Sequence, residues 1–169
     1  MDMDISPLTS PILLRPSDDD DVLAMLYIYR HHISGGVGNL GNFEPTPFDA
    51  DDLKARRKNM RKHRLPHLVA TIDGAVAGYA YAVPFRKRPA YRFTVKHSIY
   101  VHPDRLHLGV GRALLTALIQ ACASAGFRLM IGISTAPMSP RCGCTKAAAF
   151  GRSVICARSH FGSANGPIP

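Results

Sequence analysis

Apolar and polar positions alternate along the chain in two rhythms, and each rhythm predicts a different element. Ile12–Arg15 is a short apolar run closed by Pro16, which predicts a strand. Ser17 and Asp18–Asp21 follow as a capping side chain and a run of carboxylates, a helix start that suits the positive end of the helix dipole. Val22, Leu23, Leu26, Tyr29 and Ile33 fall at helical spacing and carry that helix to about His32. Gly35–Asn39 and Pro45–Pro47 mark a long loop, a type of segment that often binds ligands. A second helix is predicted over Asp49–Arg64, with Asp49 as its cap. His67–Ile72 and Ala75–Val83 read as strands joined by an Asp73-Gly74 hairpin turn. Gly78, inside the second of them, implies a bulge or a close approach of backbone.

Pro84–Pro89 interrupts the sheet and Tyr91–Val101 resumes it. Gly111–Ala125 is the most regular helix: Ala113, Leu114, Ala117, Leu118, Ala121 and Cys122 form one apolar face, and Gly126 ends it. Phe127–Ile133 is a further buried strand. A strand, two helices, three antiparallel strands, a helix and a strand make an α+β fold. Its central sheet is mixed and mostly antiparallel, with flanking helices. Residues 1–11 read as a loose leader, 12–133 as one domain, and 134–169 as an atypical tail.

Composition narrows the classes of function. A chain of 169 residues, 46% hydrophobic and 20% charged, suits one globular domain. No apolar run approaches the ~20 residues of a membrane span, and the N-terminus lacks a basic-then-apolar signal pattern. Four cysteines without such a signal argue for a reducing compartment and predict a cytoplasmic protein. The net charge of +9 raises nucleic acid as a partner, yet its densest cluster, Lys54–Arg64, lies on a helix without interleaved aromatic residues to stack bases. That cluster reads as a solvated helix face, with an anionic partner, such as a cofactor's phosphates, as the alternative. The four aspartates read as a cap in preference to a metal site.

The chemistry centres on Thr94–Leu115: a strand, a Pro-marked turn, a glycine loop and the first turns of a helix. A loop closing onto a helix N-terminus offers several unpaired N–H groups to an anion, and Gly109 and Gly111 remove side chains that would hold a phosphate away. With Leu68–Tyr81, Pro84–Tyr91 and Asn42-Phe43-Glu44, this stretch resembles the GNAT superfamily of N-acetyltransferases, specifically its phosphinothricin acetyltransferase-like branch.

The resemblance implies acetyl-CoA as co-substrate and a small primary amine as acceptor, with no metal, no nucleic acid, no membrane and a possible role for a homodimer. Ile99, Tyr100 and Val101 would present amide edges to the pantetheine arm. Leu106, His107, Leu108, Gly109, Val110, Gly111 and Arg112 would hold the pyrophosphate. Phe43, Arg88 and Tyr91 would contact the acceptor, and Lys96 and Tyr100 occupy the catalytic positions. Three departures follow. Lys96 stands where the family carries a general-base Glu, and an ordinary lysine is protonated at pH 7. His97 is its neighbour but points to the opposite face of a regular strand. Leu106 replaces the Gln or Arg that opens the Q/R-x-x-G-x-G/A pattern.

The third departure is the tail. Ser134–Pro169 has no Asp or Glu, four Lys or Arg, three of the four cysteines and no sustained strand or helix period. The family would continue there with R-L-H-E on a helix and two closing strands. GC-rich codons for this tail, read one base earlier, can spell that R-L-H-E and an F-x-F-G-x-W-x-D-T ending, so a frameshift near codons 133–134 is the expectation. Cys142, Cys144, Cys156 and His160 then read as accidental, with zinc ligation as the alternative. A non-catalytic acyl-CoA-binding protein or a degenerate family descendant is the alternative function.

Overall fold

A computed structural model describes residues 10–34, 49–134 and 154–158. The elements run β1 (Leu13–Pro16), α1 (Val22–Ser34), α2 (Ala50–Lys62), β2 (His67–Ile72), β3 (Ala75–Pro84), β4 (Thr94–Val101), α3 (Val110–Ser124), β5 (Leu129–Ser134) and β6 (Val154–Arg158). Short 3-10 turns at Pro89–Tyr91 and Pro103–Arg105 flank β4. The six strands lie in sequence order in one sheet. β1 to β4 pair antiparallel, whereas β4–β5 and β5–β6 are parallel.

Most element boundaries follow from local chemistry. Asp49 caps α2 by accepting from the Asp52 N–H at 2.8 Å, and the Asp52 carboxylate reaches back to the Asp49 N–H, a complete capping box. Asp73 and Gly74 both take positive φ, as a tight hairpin turn requires.

Gly78 answers both sequence expectations. The β2–β3 register shifts between Ala70 and Thr71, so Ala77 is the extra residue of a bulge. A Cβ on Gly78 would lie 2.8 Å from the Tyr100 carbonyl oxygen and 3.1 Å from Val110 Cγ1. The glycine therefore seats α3 directly on the sheet.

The two faces of the sheet differ. Gly78 and its partner Val101 face α3, whose Val110, Leu114, Leu115, Leu118 and Cys122 are buried. The other face carries a row of stacked rings: His67, Tyr81, Tyr79 and Tyr100, with neighbouring centroids 5.0–6.3 Å apart. Tyr29 of α1 meets Tyr100 edge-on at 5.9 Å and closes the row.

The structure corrects four sequence expectations. In α1, Leu23 is 73% exposed while Met25 and Ile28 are wholly buried, so the inward stripe is rotated from the one predicted. Ser17 does not cap α1; its Oγ is buried without a partner, and Asp18 accepts from the Asp20 and Asp21 N–H groups instead. Arg57 leaves the solvated face of α2 and turns inward to pair with Asp19 and donate to the Ser17 carbonyl at 2.8 Å. The tail also holds a strand: Val154–Arg158 extends the sheet in parallel beyond β5. Phe43, Cys142, Cys144 and His160 lie outside the described residues, as does the side chain of Cys156.

Candidate active site

β4 builds the site because its two edges have different fates. At the ends of the β3–β4 ladder, the Phe85 N–H donates to the Thr94 carbonyl and the His102 N–H to the Ala77 carbonyl. Backbone direction alternates along an antiparallel strand, so Thr94, Lys96, Ser98, Tyr100 and His102 turn their polar groups toward β3. Val95, His97, Ile99 and Val101 turn theirs toward β5. The β4–β5 pairing stops at His97–Gly132, where the strands part. Beyond that fork the Ile99 N–H and C=O and the Val101 N–H have no strand partner among the described residues. The Val101 carbonyl is engaged by His32 Nε2 at 2.8 Å, a contact that ties the end of α1 to the fork.

This register separates the three expected amide edges. Ile99 and Val101 face outward, but the Tyr100 backbone belongs to the β3 ladder opposite Tyr79. The Tyr100 side chain is buried in the aromatic row, against Tyr79 at 5.0 Å.

Downstream, Pro103–Arg105 turns the chain into residues 106–109. His107 has φ +63° and Gly109 φ +83°, and alternating left-handed residues of this kind fold successive N–H groups into a concave, anion-accepting turn. Gly109 is the N-cap of α3 and supplies no side-chain cap. The first helical bond runs from the Ala113 N–H to the Gly109 carbonyl at 3.0 Å, so the N–H groups of Val110, Gly111 and Arg112 precede the helical ladder. Leu106, His107, Leu108, Gly109 and Arg112 are exposed around this opening, and Val110 is buried as its anchor. Gly111 lies against Val101, where a Cβ would meet Val101 Cγ2 at 3.6 Å. The fork and the turn are thus adjacent parts of one surface.

Lys96 is half-buried on the aromatic face of β4, between Val83 and Ile131 in register. No carboxylate among the described residues pairs with it. His97 occupies the opposite face, and no bulge interrupts β4 to turn it. Its ring lies over Gly132, where a Cβ would stand 2.6 Å from Cε1. Burial holds this imidazole below its ordinary range, opposed by a hydrogen bond with the Ile131 backbone. The neutral ring is therefore packed behind the fork and does not take the place of a carboxylate at position 96.

Tyr91 and Arg88 flank the entry to β4. The Tyr91 ring meets Phe85 edge-on at 5.4 Å, and the Arg86 guanidinium lies over both rings. Arg88 is exposed. His32 is the site residue that sequence reasoning missed: nothing local marks it, because its partner is 69 residues away. No group of three or more metal-ligating side chains occurs among the described residues.

The acetyltransferase (GNAT) family matches residues 24–141, running past Ile133 into the tail. Phosphinothricin N-acetyltransferase of Alcaligenes faecalis is 43% identical over 113 residues, which span 67% of this chain and 56% of that protein. The Streptomyces viridochromogenes enzyme of the same name is 34% identical over 80% of this chain and 72% of its own length. A phosphinothricin acetyltransferase from Sinorhizobium meliloti, solved in complex with AcCoA, aligns with a TM-score of 0.66 at 38% identity, over 72% of this chain and 64% of that one. The chain therefore spans a little over half the length of the first of these relatives and more of the others. With a forked β4, an uncapped glycine turn and a match over most of its length, the chain belongs to the acetyltransferase (GNAT) family.

Proposed function

We propose that the chain is an acetyl-CoA-dependent N-acetyltransferase for small primary amines, of the amino-acid, phosphinothricin or methionine sulfone type. One observation carries the reading: the open amide edge at Ile99 and Val101 leads directly to the uncapped N-terminus of α3. Such a surface suits a ligand with amide groups at one end and a diphosphate at the other. The donors fit both parts, since Ile99 offers N–H and C=O, Val101 offers N–H, and the turn from Leu106 to Arg112 offers several N–H groups beside a guanidinium. Acetyl-CoA, when bound, supplies the acetyl group as a thioester.

The chain's own residues divide the remaining work. Tyr100 acts as a positioning residue, because its buried ring fixes the strand whose edge does the binding. Arg88 and Tyr91 flank the acceptor's approach, Arg88 with charge for an acceptor carboxylate and Tyr91 with a ring; Phe43 is assigned to the acceptor by the resemblance alone. An amine attacks only in its neutral form, so a group near the fork must take its proton. Lys96 holds the position where the resemblance puts that group; a lysine in its ordinary form carries no lone pair to accept the proton and repels an ammonium, and His97 is on the wrong face. We therefore assign this chain impaired turnover. No helix of the described residues is long and apolar enough to cross a membrane; a cytoplasmic location and a homodimer complete the proposal, with no role for nucleic acid. The same proposal includes a frameshifted origin for residues 134–169, which the encoding DNA tests directly.

The deciding assay is thiol release from acetyl-CoA with phosphinothricin, methionine sulfone and simple amines. Lys96→Glu should raise kcat by about 10²-fold or more, the usual contribution of a general base. Rapid turnover by the unaltered chain refutes the reading of Lys96. CoA binding without turnover in the Glu variant supports a non-catalytic acyl-CoA-binding protein instead.

A further inference from the structure

A cavity of about 530 Å³ lies at the opposite end of α3 from the glycine turn, about 20 Å along the helix axis. It is lined by the last turn of α2, the end of β1 and the start of β2, with Ala121 of α3 and its C-cap Ala125. Three arginines, Arg57, Arg61 and Arg64, enter its wall from one helix end. Two acidic side chains nearby are already engaged: Asp19 with Arg57, and Asp18 with Arg15 at 3.1 Å. Arg61 and Arg64 are exposed and have no ion-pair partner among the described residues. Their charge at the mouth is uncompensated.

Behind them lie buried polar atoms. Ser17 Oγ, Arg57 Nε and His67 Nδ1 are buried with no hydrogen-bond partner, and all three belong to residues lining this one cavity. Buried polar atoms are rarely left so, and three together mark a lining that apolar packing does not explain. These atoms are closed off from solvent, so the first contacts belong to Arg61 and Arg64. Arg64 carries a further sign. It holds φ +55° just past the C-cap of α2, in the left-handed position where glycine is usual. The helix end is otherwise closed normally, by the Leu65 N–H to the Met60 carbonyl at 2.9 Å. An arginine therefore occupies a strained position that a glycine would fill more easily, at the mouth of a basic cavity.

We propose that this cavity is a second ligand site, for a small organic anion whose phosphate or carboxylate head is held by Arg61 and Arg64. Leu65, Pro66, Ala121 and Ala125 accept its short apolar body. The volume lies within the range of small-molecule sites. The partial negative charge of the C-terminal ends of α2 and α3 opposes the anion, and the arginines outweigh it because each carries a full charge. The site shares no residue with the fork or the glycine turn, so it stands independently of the proposed acetyl transfer.

Inorganic phosphate, isobutyrate and, as a neutral control, isobutanol can each be titrated into the full chain while backbone amide NMR signals are followed. Saturable shifts at Arg64, Leu65 and His67 with either anion, and not with isobutanol, support the site; the more effective anion identifies the head group. Arg61→Gln should weaken binding about ten-fold, the usual loss for one charged hydrogen bond. Arg64→Gly gives a sharper distinction: it should weaken binding about ten-fold while raising Tm, since it relieves the left-handed strain. Anion shifts confined to Leu106–Arg112, equal shifts with isobutanol, or affinity unchanged in both variants would overturn the proposal.

Discussion

Replacing Gly78 by alanine tests how tightly the glycine turn is registered on the sheet. The added Cβ would stand 2.8 Å from the Tyr100 carbonyl oxygen, 3.1 Å from Val110 Cγ1 and 3.2 Å from Leu114 Cδ1. The carbonyl belongs to the central β3–β4 ladder and cannot move without breaking it. Val110 and Leu114 are wholly buried, so α3 itself must lift. Overpacking of this kind costs about 1–3 kcal/mol. Loss of the glycine's backbone freedom in the unfolded chain returns about 0.5–1 kcal/mol. The net expectation is a destabilisation of about 1–2 kcal/mol, read as a lower urea midpoint at unchanged slope.

The same substitution should reach the ligand. Val110 is the first residue of α3, directly after the Gly109 N-cap, so a displacement there moves the N–H groups of the turn. Calorimetry should show CoA affinity falling about ten-fold or more, because recognition by fixed donors tolerates little misplacement. Gly111→Ala is the control: its Cβ meets only Val101 Cγ2, at an ordinary 3.6 Å, and should not destabilise the fold. A Gly78→Ala protein with an unchanged urea midpoint and unchanged CoA affinity would refute the reasoning.

Two further predictions concern pH and buried charge. Burial, helped by the charge of Arg57, lowers the His67 imidazole from 6.5 to about 4. Between those values the unfolded chain binds a proton that the folded chain does not, so stability falls as pH drops through this window, by about 3 kcal/mol in total. His67→Phe keeps the stacked ring and should flatten the dependence of Tm on pH; parallel curves for the two proteins would contradict the assignment. Burial also opposes the charged form of Asp21, but Arg15 at 2.7 Å and the Asp18 N–H outweigh it and hold the carboxyl below its ordinary range. Its contribution is present above the unfolded value near 3.8 and is lost as pH falls through the folded one. Asp21→Asn should cost about 1–2 kcal/mol at neutral pH, discounted for the exposure of Arg15, and an unchanged denaturation midpoint would refute this.

The legible parts of the fold were those written in short spans. The Asp49 capping box, the Asp73-Gly74 turn and the glycine turn at residues 106–111 each depend on neighbours in sequence, and each stands where the local pattern predicts. Gly78 was legible as an anomaly, though its meaning required α3. Features set by register or by distant partners were not. Whether Tyr100 or Ile99 offers its backbone outward depends on the phase of the β3–β4 ladder, which no local pattern fixes. Arg57 belongs to a run of cations that looks uniformly solvated; only the docking of α2 beside Ser17 and Asp19 selects it for burial. Leu23 and Ile28 are equally apolar, and tertiary packing alone decides which faces the core. The proposal for Lys96, by contrast, rests on residue type alone, since a lysine where the resemblance places a carboxylate is a chemical difference at any register.

The ring row on the inner face of the sheet also gives the protein an optical signature. The chain has six tyrosines and no tryptophan. Tyr29, Tyr79, Tyr81 and Tyr100 are four of those six, and their contacts span β3, β4 and α1. Near-ultraviolet circular dichroism will therefore report chiefly on this row, without indole bands to obscure it. A sheet that keeps its strands but loses side-chain order would retain the far-ultraviolet signal and lose the tyrosine one. The native packing of α1 against the strand that forms the fork can thus be monitored in solution with no label and no ligand.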